Sequence, residues 1–146
     1  MGEPTTESCR SPFYRLDFLP ALPSPMRAAL LIAHGSRRSE ANADLVQLAD
    51  RVRATGRFDL VEIAYLEVAR PDIPAGAARC VERGATEVRI LPYFLSMGRH
   101  VAEDLDRYCR EFTEKYPAVR FSLCRPLGLH PKVIEVVLER LEADGQ

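Results

Sequence analysis

The pattern of apolar residues divides the chain after Arg27 into alternating strands and helices. Short apolar runs rich in branched residues alternate with longer stretches in which apolar residues recur every three or four positions. The short runs predict four strands, at Ala28–Ala33, Leu60–Leu66, Val88–Tyr93 and Val119–Cys124. Three of the four are almost continuously apolar, which is typical of parallel strands that are covered by helices on both faces.

The longer stretches predict four amphipathic helices, at Ser39–Thr55, Ile73–Arg83, His100–Lys115 and Pro131–Ala143. The first helix is expected to bury one face, formed by Ala41, Leu45, Leu48, Ala49 and Val52. Strict alternation of strand and helix implies right-handed crossovers. We therefore predict an α/β fold, a three-layer flavodoxin-like or Rossmann-like sandwich around a four-stranded parallel sheet of order 2-1-3-4.

Composition narrows the class of partner. The 146 residues suit one domain, and 20 basic against 21 acidic residues leave a net charge of −1, so nothing favours nucleic acid or a membrane surface. No apolar run approaches the roughly 20 residues that cross a bilayer. The four scattered cysteines, without a Cys-x-x-Cys pair, are interpreted as free thiols in a reducing compartment. We expect a cytoplasmic protein with a small-molecule ligand.

Residues 1–25 differ from the rest of the chain. Prolines and polar residues dominate there, without sustained periodicity. We expect either a disordered extension or one that results from an upstream start codon, since Met26 directly precedes the first strand. A transit peptide is the competing interpretation, although Glu3, Glu7 and Asp17 are unusual in such a segment. Residues 26–146 are predicted to form the folded domain.

All three histidines follow predicted strands. His34 follows the first, His100 the third and His130 the fourth, while Glu67 closes the second. Ligands of open parallel sheets bind at the carboxyl ends of the strands, where the strand order reverses. In the order 2-1-3-4, His34 and His100 are expected to meet there. With Glu67 they offer cobalt, nickel, iron or zinc an open site. Capping a helix or binding a buried carbonyl is the competing interpretation for each histidine alone.

The loops beside these histidines carry residues suited to an anionic ligand. Gly35 and Gly98 permit close approach of backbone, and Ser36 with the first amides of its helix could hold an anion. Four arginines near the same edge can pair with substrate carboxylates or remain solvated loop charges: Arg37, Arg38, Arg70 and Arg99. The glycine-rich patterns of nucleotide sites are absent, so no nucleotide or organic cofactor is predicted.

Four motifs occur in order along the chain. They are Ala33-His34-Gly35-Ser36-Arg37, Tyr65-Leu66-Glu67 with Pro71, Leu91-Pro92-Tyr93-Phe94-Leu95-Ser96-Met97-Gly98-Arg99-His100-Val101 and Pro126-Leu127-Gly128-Leu129-His130-Pro131. Together they resemble the short class II sirohydrochlorin chelatases, which comprise cobaltochelatases and ferrochelatases. The resemblance runs from about Met26 to the C-terminus, and the early His-Gly-Ser combined with the later Leu-Ser-x-Gly-x-His-Val is specific.

The resemblance implies a chelatase-like domain that inserts a divalent metal into sirohydrochlorin or a close tetrapyrrole without ATP. Co²⁺ is favoured, with Fe²⁺ or Ni²⁺ as alternatives. His34 corresponds to the metal ligand and proton acceptor, and His100 to the second metal ligand. Residues expected to face the macrocycle are Gly35, Ser36, Arg37, Glu67, Arg70, Leu95, Ser96, Met97, Gly98, Arg99 and His100. Met97 stands where the family often has a small residue. A homodimer is expected.

Metallation removes two pyrrole N–H protons, so the predicted site needs a base. His34 is the candidate base, but one of its nitrogens cannot hold metal and proton at the same time. Either the two roles of His34 alternate along the path of the metal, or Glu67 takes one proton. A metal or tetrapyrrole carrier that uses the same histidines without turnover is the alternative function. A hydrolase with His34 as base is disfavoured, because the chain has no Gly-x-Ser-x-Gly nucleophile elbow.

Overall fold

The computed structural model describes residues 23–143. Its helices and strands, in order, are β1 (Arg27–Ala33), α1 (Ser39–Ala54), β2 (Leu60–Tyr65), α2 (Ile73–Glu82), β3 (Glu87–Pro92), α3 (Arg99–Lys115), β4 (Arg120–Leu123) and α4 (Pro131–Glu142). All eight predicted elements are present, and their ends differ from the predicted ones by a single residue at most. Most of the predicted N-terminal extension, residues 1–22, lies outside the described residues.

The four strands form one parallel sheet in the order β2-β1-β3-β4, which confirms the predicted topology. β1 lies in the middle and pairs with both neighbours, so that Ala33 lies opposite Tyr65 and Ile32 lies opposite Pro92. The chain moves from β1 outward to β2 and then returns across β1 to β3. The strand order therefore reverses between β1 and β3, and the carboxyl ends of these two strands border the predicted crevice.

Alternate side chains of the strands enter two separate cores. Leu30 of β1 is buried on the face that carries α2 and α3, where Leu105 also lies. Leu31, the next residue, is buried on the opposite face with Leu45 and Ala49 of α1. Helices thus cover the central strand from both sides, as a parallel sheet requires. Because the strands are parallel, the loops after β1, β2 and β3 leave the sheet at the same edge.

The buried face of α1 is shorter than the sequence predicted. Leu45 and Ala49 are buried and Leu48 and Val52 are half-buried, but Ala41 is exposed. Ala41 belongs to the first turn of α1, which stands at the carboxyl edge of the sheet, past the last residue of β1. Ala41 therefore lies outside the core, and the prediction that it is buried with the rest of this face was wrong.

The last helix, α4, differs from the other three. None of its residues is buried, and it makes no extensive packing against any other described helix or strand.

Within residues 23–143, no helix combines the length and the apolar character that a membrane span needs.

Candidate functional site

His34 leaves the carboxyl end of β1 and lies against an aromatic ring from the neighbouring strand's loop. Its imidazole stacks on Phe94, with ring centroids 4.4 Å apart and an interplanar angle of 30°. Phe94 is buried, whereas His34 is exposed. The imidazole has no hydrogen-bond partner among the described residues. Both ring nitrogens are therefore available for a metal or a proton, while the stack restricts the orientation of the ring.

Gly35 allows the loops after β1 and β2 to touch. Its φ is +92°, and a Cβ on this residue would lie 2.1 Å from the carbonyl oxygen of Glu67. The Glu67 N–H donates to the carbonyl of His34 at 3.1 Å, which joins the two loops directly. The predicted close approach at Gly35 is therefore present. Gly98, in contrast, has a φ of −66° and open space where a Cβ would be, so the close approach expected there does not occur.

Asn42 of α1 holds the loop that follows His34. Its Oδ1 accepts from the Ser36 N–H at 2.9 Å, and its Nδ2 donates to the Ser36 carbonyl at 2.8 Å. The Ser36 hydroxyl accepts from the Arg38 N–H at 3.1 Å. The Ser36 amide is therefore already paired. The expected anion site would depend on the Ser36 hydroxyl and on the first amides of α1. Arg37 is exposed and forms no ion pair within the described part of the chain.

The loop after β2 carries Glu67 and Arg70. Glu67 is exposed, and its carbonyl accepts from the Ala69 N–H at 2.7 Å in a tight turn around Val68, whose φ is +68°. Arg70 pairs with Asp72, and Asp72 also caps α2 by accepting from the Ala75 N–H at 2.9 Å. A cavity of about 440 Å³ lies beside this loop. Glu67 and Arg70 line it, whereas neither His34 nor His100 does.

The loop between β3 and α3 leads to the second histidine. His100 is the second residue of α3, and Gly98 is the N-cap of that helix. Leu95, Ser96, Arg99 and His100 are exposed, while Met97 is partly buried against the core. The Arg99 Nε donates to the Glu103 carboxylate at 2.8 Å, on a surface where both side chains are largely solvated. His100 thus stands at the same sheet edge as His34, on the other side of the switch point.

His130 has a structural contact of its own. It is the N-cap of α4, and its Nδ1 accepts from the Lys132 N–H at 3.2 Å. This contact is a helix cap, the alternative role expected for a histidine that follows a strand. One of its ring nitrogens is therefore occupied, unlike those of His34.

Exposed apolar side chains lie in the loops at the same edge of the sheet as the two histidines. Each comes from a loop at the carboxyl edge of the sheet: Val68 after β2, Tyr93 and Leu95 after β3, and Leu129 after β4. Leu95 is 67% exposed and Leu129 is 88% exposed, which is unusual for side chains of this size. Exposed apolar groups around polar side chains are typical of a ligand-binding surface.

The structure places the predicted ligands at one edge without gathering them into a complete metal site. His34 and Glu67 come from loops joined by a hydrogen bond, and His100 comes from the loop beyond β3. Within residues 23–143, no three side chains of the His, Cys, Asp and Glu types lie close enough together to hold one metal ion. Remaining coordination positions would be free for donors from a ligand such as a macrocycle.

Sequence reasoning missed three residues that shape this edge: Phe94, Asn42 and Asp72. Phe94 belongs to the third motif, but no periodic pattern of the sequence shows that its ring turns back beneath His34. Asn42 lies six residues after Ser36, and only the loop geometry shows that they pair. Asp72 had a readable signal, because an aspartate directly before Ile73 and Pro74 is a typical helix N-cap.

Comparison with known proteins places this chain among chelatase-like proteins. Residues 28–144 match the model of the CbiX family. The sirohydrochlorin ferrochelatase of Priestia megaterium is 30% identical over 116 residues, which are 80% of this chain and 44% of that protein. The sirohydrochlorin cobaltochelatase of Methanococcus maripaludis is 30% identical over 79% of this chain and 97% of its own length. The chain spans about half the length of several curated relatives it matches.

Solved structures agree with the sequence matches. The sirohydrochlorin chelatase SirB of Bacillus subtilis subspecies spizizenii, in complex with cobalt, superposes with a TM-score of 0.73 at 28% identity. The match covers 80% of this chain and 50% of that one. A CbiX protein of Marinobacter aquaeolei superposes with a TM-score of 0.66 at 26% identity, over 81% of this chain and 99% of its own. The fold is therefore found both in single-length and in double-length chains.

Proposed function

The chain belongs to the CbiX family, and from this we propose that it inserts a divalent transition metal into sirohydrochlorin or a close tetrapyrrole, without a nucleotide. The observation that carries the proposal is His34 at the end of β1, which is exposed, free of hydrogen-bond partners among the described residues and stacked on Phe94. His100 lies beyond the carboxyl end of the adjacent strand, β3. Metal and macrocycle would meet between these two histidines.

The chemistry of insertion explains why these groups are useful. The metal loses water, gains macrocycle nitrogens and displaces two pyrrole protons. One nitrogen of His34 first ligates the metal, and after the metal has moved to the macrocycle the imidazole can accept one of the protons. The Glu67 carboxylate, in the adjacent loop, is our candidate for the second proton. His100 completes the pair of imidazoles that holds the metal before transfer.

The exposed apolar side chains would hold the macrocycle, whose faces are largely apolar. Val68, Tyr93 and Leu95 can lie against its rings, while Arg37 and Arg99 reach its carboxylates at the periphery. Arg70 would have to leave Asp72 to do the same. Orientation of the macrocycle over the histidines would supply much of the rate.

Cobalt is our preferred metal. Three archaeal relatives whose own length is matched almost completely, by 91%, 99% and 97%, are named cobaltochelatases. The relatives named ferrochelatases are matched over only 44%, 50% and 46% of their length. The cobaltochelatase of Priestia megaterium, matched over 39% of its length, shows that this name also occurs on longer chains. The proposal of Co²⁺ over Fe²⁺ and Ni²⁺ therefore rests on the names of the three archaeal relatives, and we propose a cytoplasmic homodimer.

Anaerobic insertion of Co²⁺ and Fe²⁺ into sirohydrochlorin, followed by absorbance, tests the proposal. With substrate in excess, we expect multiple turnovers, faster with Co²⁺. His34→Ala and His100→Ala should each lower the rate by about 100-fold or more, the range of a lost general base or ligand. His130→Asn is the matched control, because asparagine can still cap α4 and the rate should be unchanged.

Stoichiometric binding of metal or tetrapyrrole without turnover would contradict the proposal and identify a carrier. Full activity of His34→Ala would remove His34 from the mechanism. A dependence of the rate on added ATP would overturn the prediction of insertion without a nucleotide.

A further inference from the structure

The helix α4 carries an apolar stripe without any partner in its own chain. Ile134, Val137, Leu138 and Leu141 recur at helical spacing on one side of the helix, and each is at least 46% exposed. α4 makes no extensive packing with another described helix or strand. A helix of 12 residues is marginal in water without tertiary packing, so this stripe needs a surface to bury it.

An apolar groove of matching kind lies on the sheet. It measures about 480 Å³ and crosses the face of β1 and β3 that also carries α1. Its floor consists of Ala29 and Leu31 of β1, Leu91 of β3 and Cys124 just after β4. Within the described residues, α1 covers this face over β1 and β2. The helix that packs on β4 is α3, and it lies on the opposite face, so this face of β3 and β4 has no helix over it among the described residues. Parallel sheets are normally covered on both faces, so the groove is an incomplete layer.

The topology shows which helix belongs in the groove. The connection from β1 to β2 runs in one direction along the sheet and places α1 on this face, while the connections to β3 and β4 run in the other direction and place α2 and α3 on the opposite face. If the chain after β4 turns back along the sheet toward β3, it runs in the same direction as the connection from β1 to β2. A right-handed crossover in that direction places its helix on the face that carries α1. The α4 sequence therefore has the position and the apolar stripe to complete this layer.

We propose that α4 packs into the groove of a second copy of this chain, while the α4 of that copy packs into the groove of the first. The proposal rests on the homodimer included in the proposed function and specifies how the two copies join. Such an exchange is symmetric, so each dimer buries two stripes and fills two grooves. The length also fits, since α4 spans about 18 Å and β3 about 20 Å.

Charge supports the same pairing. Arg27, Arg57 and Arg89 line the groove. Along one side of the apolar stripe, α4 carries Glu135, Glu139 and Glu142 at helical spacing. Neither Arg57, Arg89 nor any of these three glutamates forms an ion pair within the described part of the chain. α4 also carries Lys132 and Arg140, so it is the side with the three glutamates that would attract the basic groove and set the direction in which the helix docks.

The proposal can be tested by reversing the charges in two separate proteins. The groove variant carries Arg57→Glu and Arg89→Glu, and the helix variant carries Glu135→Arg and Glu139→Arg. Each alone places like charges in both interfaces of its homodimer, so the dissociation constant, measured by analytical ultracentrifugation of the full chain without metal or tetrapyrrole, should rise about tenfold. Mixed in equal amounts, the two variants form a dimer whose two interfaces again pair opposite charges, and the dissociation constant should return to that of the unchanged protein.

The mixture distinguishes exchange of α4 between chains from packing of α4 into the groove of its own chain. If α4 packed within its own chain, the like charges in each variant would remain together, and mixing would have no effect. Circular dichroism of each variant verifies that it is folded, and the single changes Arg57→Glu and Glu139→Arg serve if a double variant is not. Arg110→Glu with Glu114→Arg, two exposed positions of α3, is the matched control and should leave the dissociation constant unchanged.

A monomeric unchanged chain, or a mixture no more dimeric than its components, would overturn the exchange. Neither result bears on the insertion assay, since a monomer that turns over sirohydrochlorin would remove the proposed homodimer and leave the proposed insertion activity intact. A dimer with the expected charge rescue but without turnover would contradict only the proposed function.

Discussion

The imidazole of His34 rests on the buried ring of Phe94, with 4.4 Å between ring centroids. Phe94 is itself fixed, because its carbonyl accepts from the Leu127 N–H at 3.0 Å and its ring packs in the core beneath β1 and β3. The loops after three strands therefore contribute to the position of one exposed imidazole. A histidine that must receive and release a metal gains from such support, since it is oriented without using either ring nitrogen.

Phe94→Leu should lower insertion activity while leaving the metal ligands in place. Leucine keeps an apolar group in the core but removes the flat surface beneath the imidazole, so the ring can rotate. We expect kcat to fall about tenfold, because small losses of orientation are costly to rate. Steady-state insertion kinetics measure the change.

Phe121→Leu provides the comparison for the loss of a buried aromatic ring. Phe121 is 8% exposed and packs with Phe112, away from the histidines. Both variants should lose about 1–2 kcal/mol of unfolding free energy in urea. If Phe121→Leu lowers kcat as much as Phe94→Leu does, then stability rather than orientation explains the effect.

The elements of this fold could be read from the sequence because local pattern and global topology agree. β1 is apolar on both faces, and α1 alternates apolar and polar residues with helical spacing, so each has one stable environment. The order of the strands was predicted from doubly wound parallel sheets, because right-handed crossovers by themselves permit other orders as well. The position of His34 and His100 at one edge followed from the same rules.

Other features depend on contacts between distant residues, which a single sequence does not display. The stack of His34 on Phe94 joins residues 60 positions apart. The need for glycine at position 35 is likewise visible only in the fold, where Glu67 lies directly beside it and φ is +92°. The exposure of α4 was also hidden, since its amphipathic pattern is that of a packed helix. An apolar stripe predicts a partner surface without showing on which molecule that surface lies.

Gly35→Ala should be strongly destabilising, since the new methyl group would lie 2.1 Å from the carbonyl oxygen of Glu67 and the φ of +92° is unfavourable for alanine. We expect a loss of about 2–4 kcal/mol in the free energy of unfolding, measured in urea. Gly98→Ala is the matched substitution. With open space and a φ of −66°, it should change stability by less than about 0.5 kcal/mol. Equal losses in the two variants would argue against the tight contact between the loops.

Asn42→Ala should loosen the loop that follows His34. Two hydrogen bonds to Ser36 are lost, and the Ser36 N–H and carbonyl must find water instead. We expect a loss of about 1–2 kcal/mol and faster hydrogen exchange of the Ser36 amide, observable by NMR. Asn42→Asp keeps the acceptor for the Ser36 N–H, so slow exchange should be largely retained. Unchanged exchange in Asn42→Ala would show that the clamp does not hold this loop.

The buried thiol of Cys80 should make the stability of the fold fall in alkaline solution. Burial, assisted by the carboxylate of Glu62, raises the pKa of Cys80 to about 12, whereas a thiol in the unfolded chain titrates near 8.5. Above about pH 9 the unfolded chain has therefore lost a proton that the folded chain keeps. The unfolded state becomes more favourable with each pH unit, and stability that is fully present below the unfolded pKa is lost as pH rises toward 12.

Cys80→Ala separates this effect from the other groups that titrate in alkali. The unchanged protein should lose up to about 1.4 kcal/mol of unfolding free energy per pH unit through Cys80, a contribution that the alanine variant lacks. Because alanine leaves a small cavity beneath α2, the variant should be less stable at pH 8 and should approach the unchanged protein between pH 9 and 10. Urea denaturation of both proteins at half-unit steps gives the two curves. The prediction rests on the burial of Cys80, whose side chain is 0% exposed. Curves that stay parallel would contradict it, because they would mean that Cys80 ionises as easily in the folded chain as in the unfolded one.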